Sequence, residues 1–333
     1  MKYNILVTGA AGFIGHALCM KLLDKFSNFN IYGLDNFDTY YDVNLKKRRI
    51  LEIRQKYKTN RFKFFKYDIS NKNLQKFLKK IKIDIVINLA AQAGVRYSIK
   101  NSKKYFKSNL LGFYNLIEFS KNNKVKFFYY ASTSSVYGLN KNLPFYENNN
   151  TDKPSNFYAA TKKCNEIIAH SYSNIFKLNT IGLRFFTVYG PWGRPDMALF
   201  KFVKNIKNNK KIDIYNYGNH ERDFTYIDDV TTSITKLIKK NIILNKRKKL
   251  AKYQIFNIGN GKKEPLKKYI KLIEQNLNLK ASKNYMGLQM GDMKETYSNS
   301  SKLSKLISYK PTTKIENGIK KFVNWHNKFY KNK

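Results

Sequence analysis

Apolar and polar positions alternate in blocks along the first half of the chain. Short apolar runs of the kind found in buried strands are separated by segments whose apolar residues recur at helical spacing. The predicted strands cover residues 5–7, 30–34, 62–67, 85–89, 126–131 and 180–184, and the first predicted helix covers 13–26. Strands that alternate with helices pair in parallel through right-handed crossovers. The pattern therefore predicts an α/β fold built on a doubly wound parallel sheet.

The second half of the chain is less regular. Helical patterns cover residues 201–208, 225–240, 266–277 and 315–328, and residues 254–259 have the pattern of one more buried strand. We expect a first domain over residues 1–190 and a smaller C-terminal α/β domain mainly over 191–333. Segments near 223–260 are expected to return to the first sheet.

The first candidate site is a glycine-rich turn between the first predicted strand and the first predicted helix. Gly9, Gly12 and Gly15 have the spacing GxxGxxG, and Phe13 and Ile14 open the helix. Glycines let the backbone approach a pyrophosphate, and a helix N-terminus offers free N–H groups and the positive end of its dipole. A simple tight turn is the alternative interpretation. The position between strand and helix favours a dinucleotide site of the Rossmann type.

Acidic residues follow at the ends of the next two predicted strands. Asp35 lies about 20 positions after Gly15, where a carboxylate accepts the ribose hydroxyls and repels a 2′-phosphate. The predicted cofactor is therefore NAD and not NADP. Asp68 and Ile69, after the third strand, are candidate contacts to the adenine. The alternatives are that Asp35 only forms a turn and that Asp68 only caps a helix.

Tyr158 and Lys162 are four residues apart in a helical segment, so their side chains share one helix face. A phenol with a pKa of about 10 is a poor base at neutral pH, and a nearby ammonium group together with the cationic nicotinamide ring favours its phenolate. Lys162 is also placed to bond the nicotinamide ribose. Thr133 ends an apolar strand and adds a hydroxyl that can relay the proton, although a polar turn is the alternative there. The place of the pair after a dinucleotide motif favours the catalytic interpretation.

Composition narrows the classes of protein that the chain can belong to. Its 333 residues, of which 42% are hydrophobic and 26% charged, exclude a disordered tail, a collagen-like fibre and a small disulfide scaffold. No apolar stretch approaches roughly 20 residues and no signal-peptide pattern opens the sequence, so we expect a cytoplasmic protein without membrane insertion. Cys19 and Cys164 are predicted to be small core residues. The histidines lack metal-ligand spacing, and no metal site is expected.

The formal net charge of +42 raises the question of a nucleic-acid or membrane-surface partner. Most of the basic residues are lysines spread along the chain, and Asn, Ile, Phe and Tyr are also abundant, which fits compositional drift toward A/T-rich codons. No helix-turn-helix, zinc-finger or RNA-binding aromatic signature accompanies the charge. We therefore expect a salt-sensitive attraction to polyanions but no specific nucleic-acid partner.

The chain resembles the extended short-chain dehydrogenase/reductases and, within them, the NAD-dependent sugar-nucleotide epimerases. The most specific likeness is to the UDP-glucuronate 4-epimerase group, and it lies in runs at residues 35–36, 40–46, 89–98, 184–198, 215–218 and 222–229. The resemblance covers nearly the whole chain. It implies a Rossmann domain for NAD, a second domain for a UDP-sugar, tightly bound NAD, and a homodimer joined through four helices that include the Tyr158 helix.

The resemblance also implies site residues that spacing alone does not assign. For the cofactor these are Asn36, Leu89, Ala90 and Ala91. For the substrate diphosphate and uridine they are Arg222, Arg96 and Asp292, the last with a purely structural loop aspartate as the alternative. A hydroxyl and guanidinium cradle for a substrate carboxylate is expected from Thr133, Ser134, Ser135, Thr187 and Arg194, with a surface salt bridge as the alternative for Arg194.

Departures from neighbouring groups narrow the implied reaction. Sugar-nucleotide 4,6-dehydratases carry an Asp-Glu pair after the catalytic threonine, and decarboxylating relatives carry a glutamate where Ser135 stands here; this chain has Ser134 and Ser135. Thr187 replaces an asparagine of many neutral-hexose epimerases. The implied activity is interconversion of UDP-glucuronate and UDP-galacturonate through transient C4 oxidation. A 4-epimerase of a neutral or N-acetylated UDP-hexose and a non-catalytic NAD-binding regulatory protein stay open as alternatives.

Overall fold

The computed structural model describes residues 2–247, 252–289 and 291–330. Its strands are numbered in chain order. They are β1 (Tyr3–Thr8), β2 (Phe29–Asp35), β3 (Phe62–Lys66), β4 (Ile85–Asn88), β5 (Phe127–Thr133), β6 (Thr180–Phe185), β7 (Thr187–Tyr189), β8 (Ile212–Ile214), β9 (Glu221–Arg222), β10 (Phe224–Tyr226), β11 (Tyr253–Ile258), β12 (Glu264–Pro265) and β13 (Lys283–Tyr285).

The α-helices are numbered in the same way, and a π-helical turn (Phe106–Leu111) and two 3-10 turns (Ser134–Tyr137 and Tyr215–Gly218) accompany them. The helices are α1 (Phe13–Lys25), α2 (Val43–Lys56), α3 (Leu74–Leu78), α4 (Val95–Lys100), α5 (Ser102–Tyr105), α6 (Gly112–Asn122), α7 (Phe157–Phe176), α8 (Ala198–Lys207), α9 (Ile227–Lys246), α10 (Leu266–Leu277), α11 (Ser301–Ile307) and α12 (Ile315–Tyr330).

Seven strands form one sheet in the order β3-β2-β1-β4-β5-β6-β11, and every neighbouring pair in it is parallel. The predicted doubly wound parallel sheet is therefore confirmed. Three two-stranded pairs, β7 with β10, β8 with β13 and β9 with β12, lie outside it. The order of the large sheet reverses direction between β1 and β4, and ligands of such sheets bind beyond the carboxyl ends of the strands at that point.

Helices cover both faces of the sheet because successive side chains of a strand point to opposite sides. Ile5 and Val7 of β1 belong to one hydrophobic core with residues of α1, α9 and α12. Leu6 belongs to a second core with residues of α3, α6 and α7. Strands buried on both faces are almost uniformly apolar, which explains the uninterrupted apolar runs of the sequence.

The second half differs in detail from the sequence expectation. Thr225 and Tyr226, which were expected to begin a helix, instead lie in β10, and α9 begins at Ile227. The strand predicted over 254–259 is β11, and it pairs with β6 at the edge of the large sheet. Strands of two or three residues such as β9 carry no periodicity long enough to detect. The division of the chain at about residue 190 stays a prediction.

The two cysteines lie in different surroundings. Cys19, a residue of α1, is fully buried in the core, as predicted, and burial raises the pKa of its thiol. The prediction of a core position for Cys164 is wrong. That residue is half-buried on the outer face of α7, next to the exposed apolar side chains of Phe106, Tyr114 and Ile167.

Candidate active site

Two cavities lie beyond the carboxyl ends of the sheet strands and share part of their walls. The first, of about 270 Å³, we call the glycine-turn cavity. The second, of about 560 Å³, we call the arginine cavity because Arg96, Arg194 and Arg222 line it. Tyr158 and Arg194 line both. The glycine-turn cavity is lined by the residues predicted for the cofactor and for catalysis: Gly9, Gly12, Phe13, Ile14, Gly15, Asp35, Asn36, Asp68, Ile69, Leu89, Ala90, Ala91, Thr133, Tyr158 and Lys162.

The glycine-rich turn leaves no room for side chains. A Cβ atom on Gly9 would lie 2.8 Å from the backbone nitrogen of Ala90, and Gly9 has a φ of +67°. A Cβ atom on Gly15 would lie 2.1 Å from the carbonyl oxygen of Gly9. Helix α1 starts at Phe13 after Gly12, and no side chain caps its first N–H groups. Those N–H groups and the dipole of α1 therefore offer a site for a phosphate.

Asp35 ends β2 and is buried at the edge of the glycine-turn cavity. One carboxylate oxygen accepts the N–H of Ala11 at 3.1 Å and the other accepts the N–H of Phe37 at 2.8 Å. Burial raises the pKa of Asp35, while these hydrogen bonds and the positive charges of Lys46 and Arg49 oppose the rise. Each oxygen retains acceptor capacity for a ribose hydroxyl.

Tyr158 is the side chain at which the two cavities meet. Burial raises the pKa of its phenol, and the hydroxyl of Thr133 and the charge of Arg194 act in the opposite direction. The ring of Tyr105 contacts the ring of Tyr158 edge-on, with centroids 6.0 Å apart. The phenol is thus held between a hydroxyl at the end of β5 and a cation from the second half of the chain.

Lys162 faces the same cavity one helical turn further along α7. It is 3% exposed, and its ammonium group donates to the carbonyl of Ala131 at 2.9 Å. Burial lowers the pKa of Lys162 to about 8. The sequence suggested that Lys162 depresses the pKa of Tyr158, whereas in the structure burial raises that pKa, and the opposing contributions come from Thr133 and Arg194.

Arg194 lies on the wall shared by the two cavities and forms a salt bridge with Asp196. Its Nε donates to Asp196 at 3.0 Å and its Nη2 donates to the other oxygen of that carboxylate at 2.5 Å. Tyr40 donates a further hydrogen bond to Asp196 at 3.2 Å. The guanidinium fork expected to meet a substrate carboxylate is therefore held by an internal carboxylate, in a pair that lines the arginine cavity.

The far end of the arginine cavity is also bridged by charged groups. Arg96 donates to Asp292 at 2.9 Å, and its guanidinium lies 4.3 Å from the ring centre of Tyr215. Arg222 donates to the carbonyl oxygens of Lys294, at 2.7 Å, and of Met293. The structure therefore brings Arg96, Arg222 and Asp292, which the resemblance assigns to the substrate diphosphate and uridine, to the lining of one cavity.

Ser134 and Ser135 are not among the described residues that line the glycine-turn cavity or the arginine cavity. They form the 3-10 turn after β5, in which the Ser135 N–H donates to the Thr133 hydroxyl at 3.2 Å and the two hydroxyls are 3.3 Å apart. Thr187, by contrast, lines the arginine cavity. A direct substrate contact of the two serines stays a prediction, and the contact that the structure gives Ser135 is to Thr133.

Residues 5–259 match the model of the NAD dependent epimerase/dehydratase family. The chain belongs to this family. The match spans the glycine-rich turn, Asp35, Thr133, Tyr158 and Lys162, which the structure gathers around one cavity.

Relatives of this epimerase/dehydratase family member are similar along nearly its entire length. Protein CapI of Staphylococcus aureus is 46% identical over 98% of this chain and 99% of its own. UDP-glucuronate 4-epimerase 4 of Arabidopsis thaliana is 42% identical over 98% of this chain and 76% of its own. The crystal structure of a UDP-glucuronic acid 4-epimerase from Bacillus cereus, in complex with UDP-glucuronic acid and NAD, has a TM-score of 0.89, is 34% identical and covers 98% of this chain and 100% of its own.

The residues of this family member fit NAD. Gly9, Gly12 and Gly15 leave no space for a Cβ atom, no side chain of the described residues caps the start of α1, and Asp35 lies at the end of the neighbouring strand. These are the features that a pyrophosphate and an unphosphorylated ribose require. In the described part of the chain, no group of three or more metal-ligating side chains is found, and no helix is long and apolar enough to span a membrane.

The sequence analysis assigned no functional role to three residues near the site. Tyr40 and Asp196 orient Arg194, and Asn109 in the π-helical turn donates to Gln92 and to Thr161, both at 3.0 Å. Tyr40 and Asp196 lie inside runs that carry the family resemblance, which is a signal that could have pointed to them. Asn109 had no such signal, because asparagine is abundant throughout this chain.

Proposed function

We propose that this protein is a UDP-glucuronate 4-epimerase, which interconverts UDP-glucuronate and UDP-galacturonate with tightly bound NAD. The observation that carries the proposal is the position of Tyr158 on the wall shared by a cavity fit for a dinucleotide and a cavity lined by arginines. Relatives named UDP-glucuronate 4-epimerase, similar over nearly the whole chain, support the same reaction.

The proton chemistry belongs to Tyr158 and Thr133. NAD bound in the glycine-turn cavity would supply hydride chemistry, as the acceptor of the C4 hydride in oxidation and its donor in the return step. Tyr158 takes the proton of the C4 hydroxyl, directly or through Thr133, and gives it back in the second half of the reaction. Burial raises the pKa of the Tyr158 phenol, and the Thr133 hydroxyl and the Arg194 charge partly offset that rise by stabilising the phenolate.

The nucleotide half of the substrate is proposed to lie on the opposite wall of the arginine cavity. Arg222 and Arg96 supply positive charge for the diphosphate, and Asp292 accepts a ribose hydroxyl once its pairing with Arg96 opens. A substrate held by its nucleotide leaves the sugar free to rotate. Rotation about the glycosyl phosphate would present the opposite face of C4 to the cofactor cavity while Tyr158 exchanges the proton of the C4 oxygen, so the configuration inverts without net oxidation.

The substrate carboxylate is proposed to be held by Arg194 and Thr187. Oxidation at C4 makes a uronate a β-keto acid, which loses CO₂ when its C5–C6 bond lies parallel to the carbonyl π system. A guanidinium fork and a hydroxyl fix the carboxylate out of that alignment, and neither adds an acid that would protonate C5. Because Asp196 accepts from Nε and Nη2 of Arg194 in the structure, this assignment requires the substrate carboxylate to replace Asp196 there.

Loss of the cradle is expected to change the products. Arg194→Ala and Thr187→Ala should release a UDP-4-keto-pentose and CO₂ and leave the bound cofactor reduced, because the intermediate is no longer held against decarboxylation. Mass spectrometry and proton NMR measure the partition, and near-ultraviolet absorbance measures the reduced cofactor. Thr187→Ser, which keeps the hydroxyl, is the matched control. Unchanged partitioning in both alanine variants would remove the cradle assignment.

A substrate panel tests the proposed function. The purified protein is mixed separately with UDP-glucuronate, UDP-glucose and UDP-N-acetylglucosamine, without added NAD, and followed by proton NMR. We expect conversion of UDP-glucuronate alone to its galacto epimer. Turnover of a neutral sugar only would favour the neutral or N-acetylated UDP-hexose epimerase. Absence of turnover with added NAD would favour a non-catalytic NAD-binding protein.

We also propose a homodimer in the cytoplasm. An apolar groove on the outer face of α6, α7 and the π-helical turn exposes large side chains, which is typical of a surface that pairs with another protein. They are Phe106 (56% exposed), Leu111 (40%), Tyr114 (48%) and Ile167 (57%). Light scattering of the holoenzyme is expected to give twice the chain mass, and Ile167→Glu is expected to give the monomer mass. A monomer in the unsubstituted protein would contradict this assignment.

A further inference from the structure

The buried guanidinium of Arg49 is hydrogen-bonded to backbone segments that belong to both cavities. Arg49 of α2 is 0% exposed and is among the largest side chains that the structure buries completely. Lys47 and Arg48 of the same helix are exposed, whereas Lys46 is also buried. A buried cation costs free energy unless its hydrogen bonds are met, so the contacts of Arg49 call for an explanation.

Arg49 donates hydrogen bonds from all four of its Nη hydrogens, and the acceptors lie in three separate segments. Nη1 donates to the carbonyl of Ala11 at 2.9 Å and to the hydroxyl of Tyr41 at 2.8 Å. Nη2 donates to the carbonyl of Trp192 at 2.6 Å and to the carbonyl of Gly193 at 3.2 Å. Its Nε has no hydrogen-bond partner among the described residues. The planar guanidinium of Arg49 therefore donates to neutral carbonyl and hydroxyl oxygens and not to a carboxylate.

The acceptors belong to the two parts of the site that must be aligned. Ala11 lies between Gly9 and Gly12 in the glycine-rich turn, while Trp192 and Gly193 immediately precede Arg194. Trp192 has a φ of +63°, which is unusual for a bulky residue. A backbone held in such a region needs support from its surroundings, and the hydrogen bonds from Arg49 supply it.

The charge of Arg49 acts at the cofactor end as well. It opposes the rise that burial causes in the pKa of Asp35, without being hydrogen-bonded to that carboxylate. In the described part of the chain, no acidic side chain forms an ion pair with Arg49. The guanidinium therefore keeps an unneutralised positive charge behind the turn that is fit for a pyrophosphate, which is an attraction for that anion.

We propose that Arg49 is a positioning residue that fixes the glycine-rich turn and the Arg194 loop relative to each other, so that the cofactor and the sugar carboxylate are held in one register. The carboxylate half of this inference rests on the proposed function. The cofactor half rests on the fit of the turn alone. A lysine in its place keeps the charge but cannot reach both segments with parallel hydrogen bonds.

The test uses Arg49→Met and Arg49→Lys in the holoenzyme. NAD content after gel filtration is measured by acid release, KM for UDP-glucuronate is measured with NAD resupplied to saturation, and UDP affinity is measured by calorimetry. We expect the methionine variant to bind NAD about tenfold more weakly and to raise KM by about tenfold, with UDP affinity unchanged, because Arg49 donates no hydrogen bond to the proposed UDP residues Arg96, Arg222 and Asp292. Arg49→Lys is expected to retain NAD better than Arg49→Met while KM stays raised.

Arg54→Met, an exposed arginine of the same helix, is the matched control and should leave all three quantities unchanged. Normal NAD content and KM in Arg49→Met would overturn the proposal. An equal fall in UDP affinity would also overturn it, because that result means a general loss of structure. If Arg49→Met does not fold, Arg49→Lys decides by the same readouts. If no variant or parent turns over UDP-glucuronate, the proposed function fails, and NAD content still tests the cofactor half.

Discussion

Tyr158→Phe is expected to lower kcat for epimerisation by about 10²- to 10⁴-fold, the usual contribution of a positioned acid–base group. The substitution removes the hydroxyl that meets Thr133 on the shared wall and leaves the ring contact with Tyr105 in place. NAD content and UDP affinity should stay at the parent values, because neither depends on the proton. Initial rates by coupled assay or NMR, with cofactor content measured on the same samples, give the comparison.

Tyr172→Phe is the matched control, since Tyr172 lies on the same helix and donates to Glu118 away from both cavities. It should leave kcat unchanged. A Tyr158→Phe variant that turns over within tenfold of the parent would show that another group handles the proton. A variant that loses NAD together with activity would show that the phenol acts in cofactor binding.

Gly15→Ala is expected to give the largest loss of cofactor. The new Cβ atom would lie 2.1 Å from the Gly9 carbonyl oxygen and 2.8 Å from its carbonyl carbon, so the turn must move away from the start of α1. Overpacking of this kind costs about 3 kcal/mol of stability. Because the same turn is the proposed pyrophosphate site, bound NAD after gel filtration should fall by about tenfold or more.

Gly287→Ala provides the control for this prediction. Gly287 is exposed, and a Cβ atom there would meet no atom within 4 Å. Urea unfolding and released NAD are measured on both variants. Retention of stoichiometric NAD by Gly15→Ala, with the parent midpoint of unfolding, would mean that the turn is more compliant than its geometry indicates.

Local patterns were enough to select residues that the structure gathers around the glycine-turn cavity. The glycine spacing, Asp35 at a strand end and the four-residue interval from Tyr158 to Lys162 each depend on a few neighbouring residues, and the parallel sheet brings strand ends to one edge. Apolar runs located the strands of the large sheet to within a few residues, because strands buried on both faces have little freedom of composition.

The parts that the sequence left out depend on contacts between distant segments. Arg49 donates to a carbonyl 143 positions away, and Tyr40 donates to Asp196 156 positions away. No local spacing encodes such a pairing. The neutralisation of Arg194 by Asp196 was missed for a different reason: the two are only two residues apart, but whether they pair depends on the shape of the loop and not on its sequence interval.

The most direct test of the proposed epimerase mechanism is to follow the hydrogen at C4 of the substrate. UDP-glucuronate carrying deuterium at C4 is incubated with the purified protein in ordinary water, without added NAD, and the UDP-galacturonate formed is analysed by NMR and mass spectrometry. We expect full retention of the deuterium at C4 of the product, because in the proposed mechanism the same atom leaves and returns within one closed site. Replacement of that deuterium by solvent hydrogen would contradict transient oxidation at C4 by a retained cofactor.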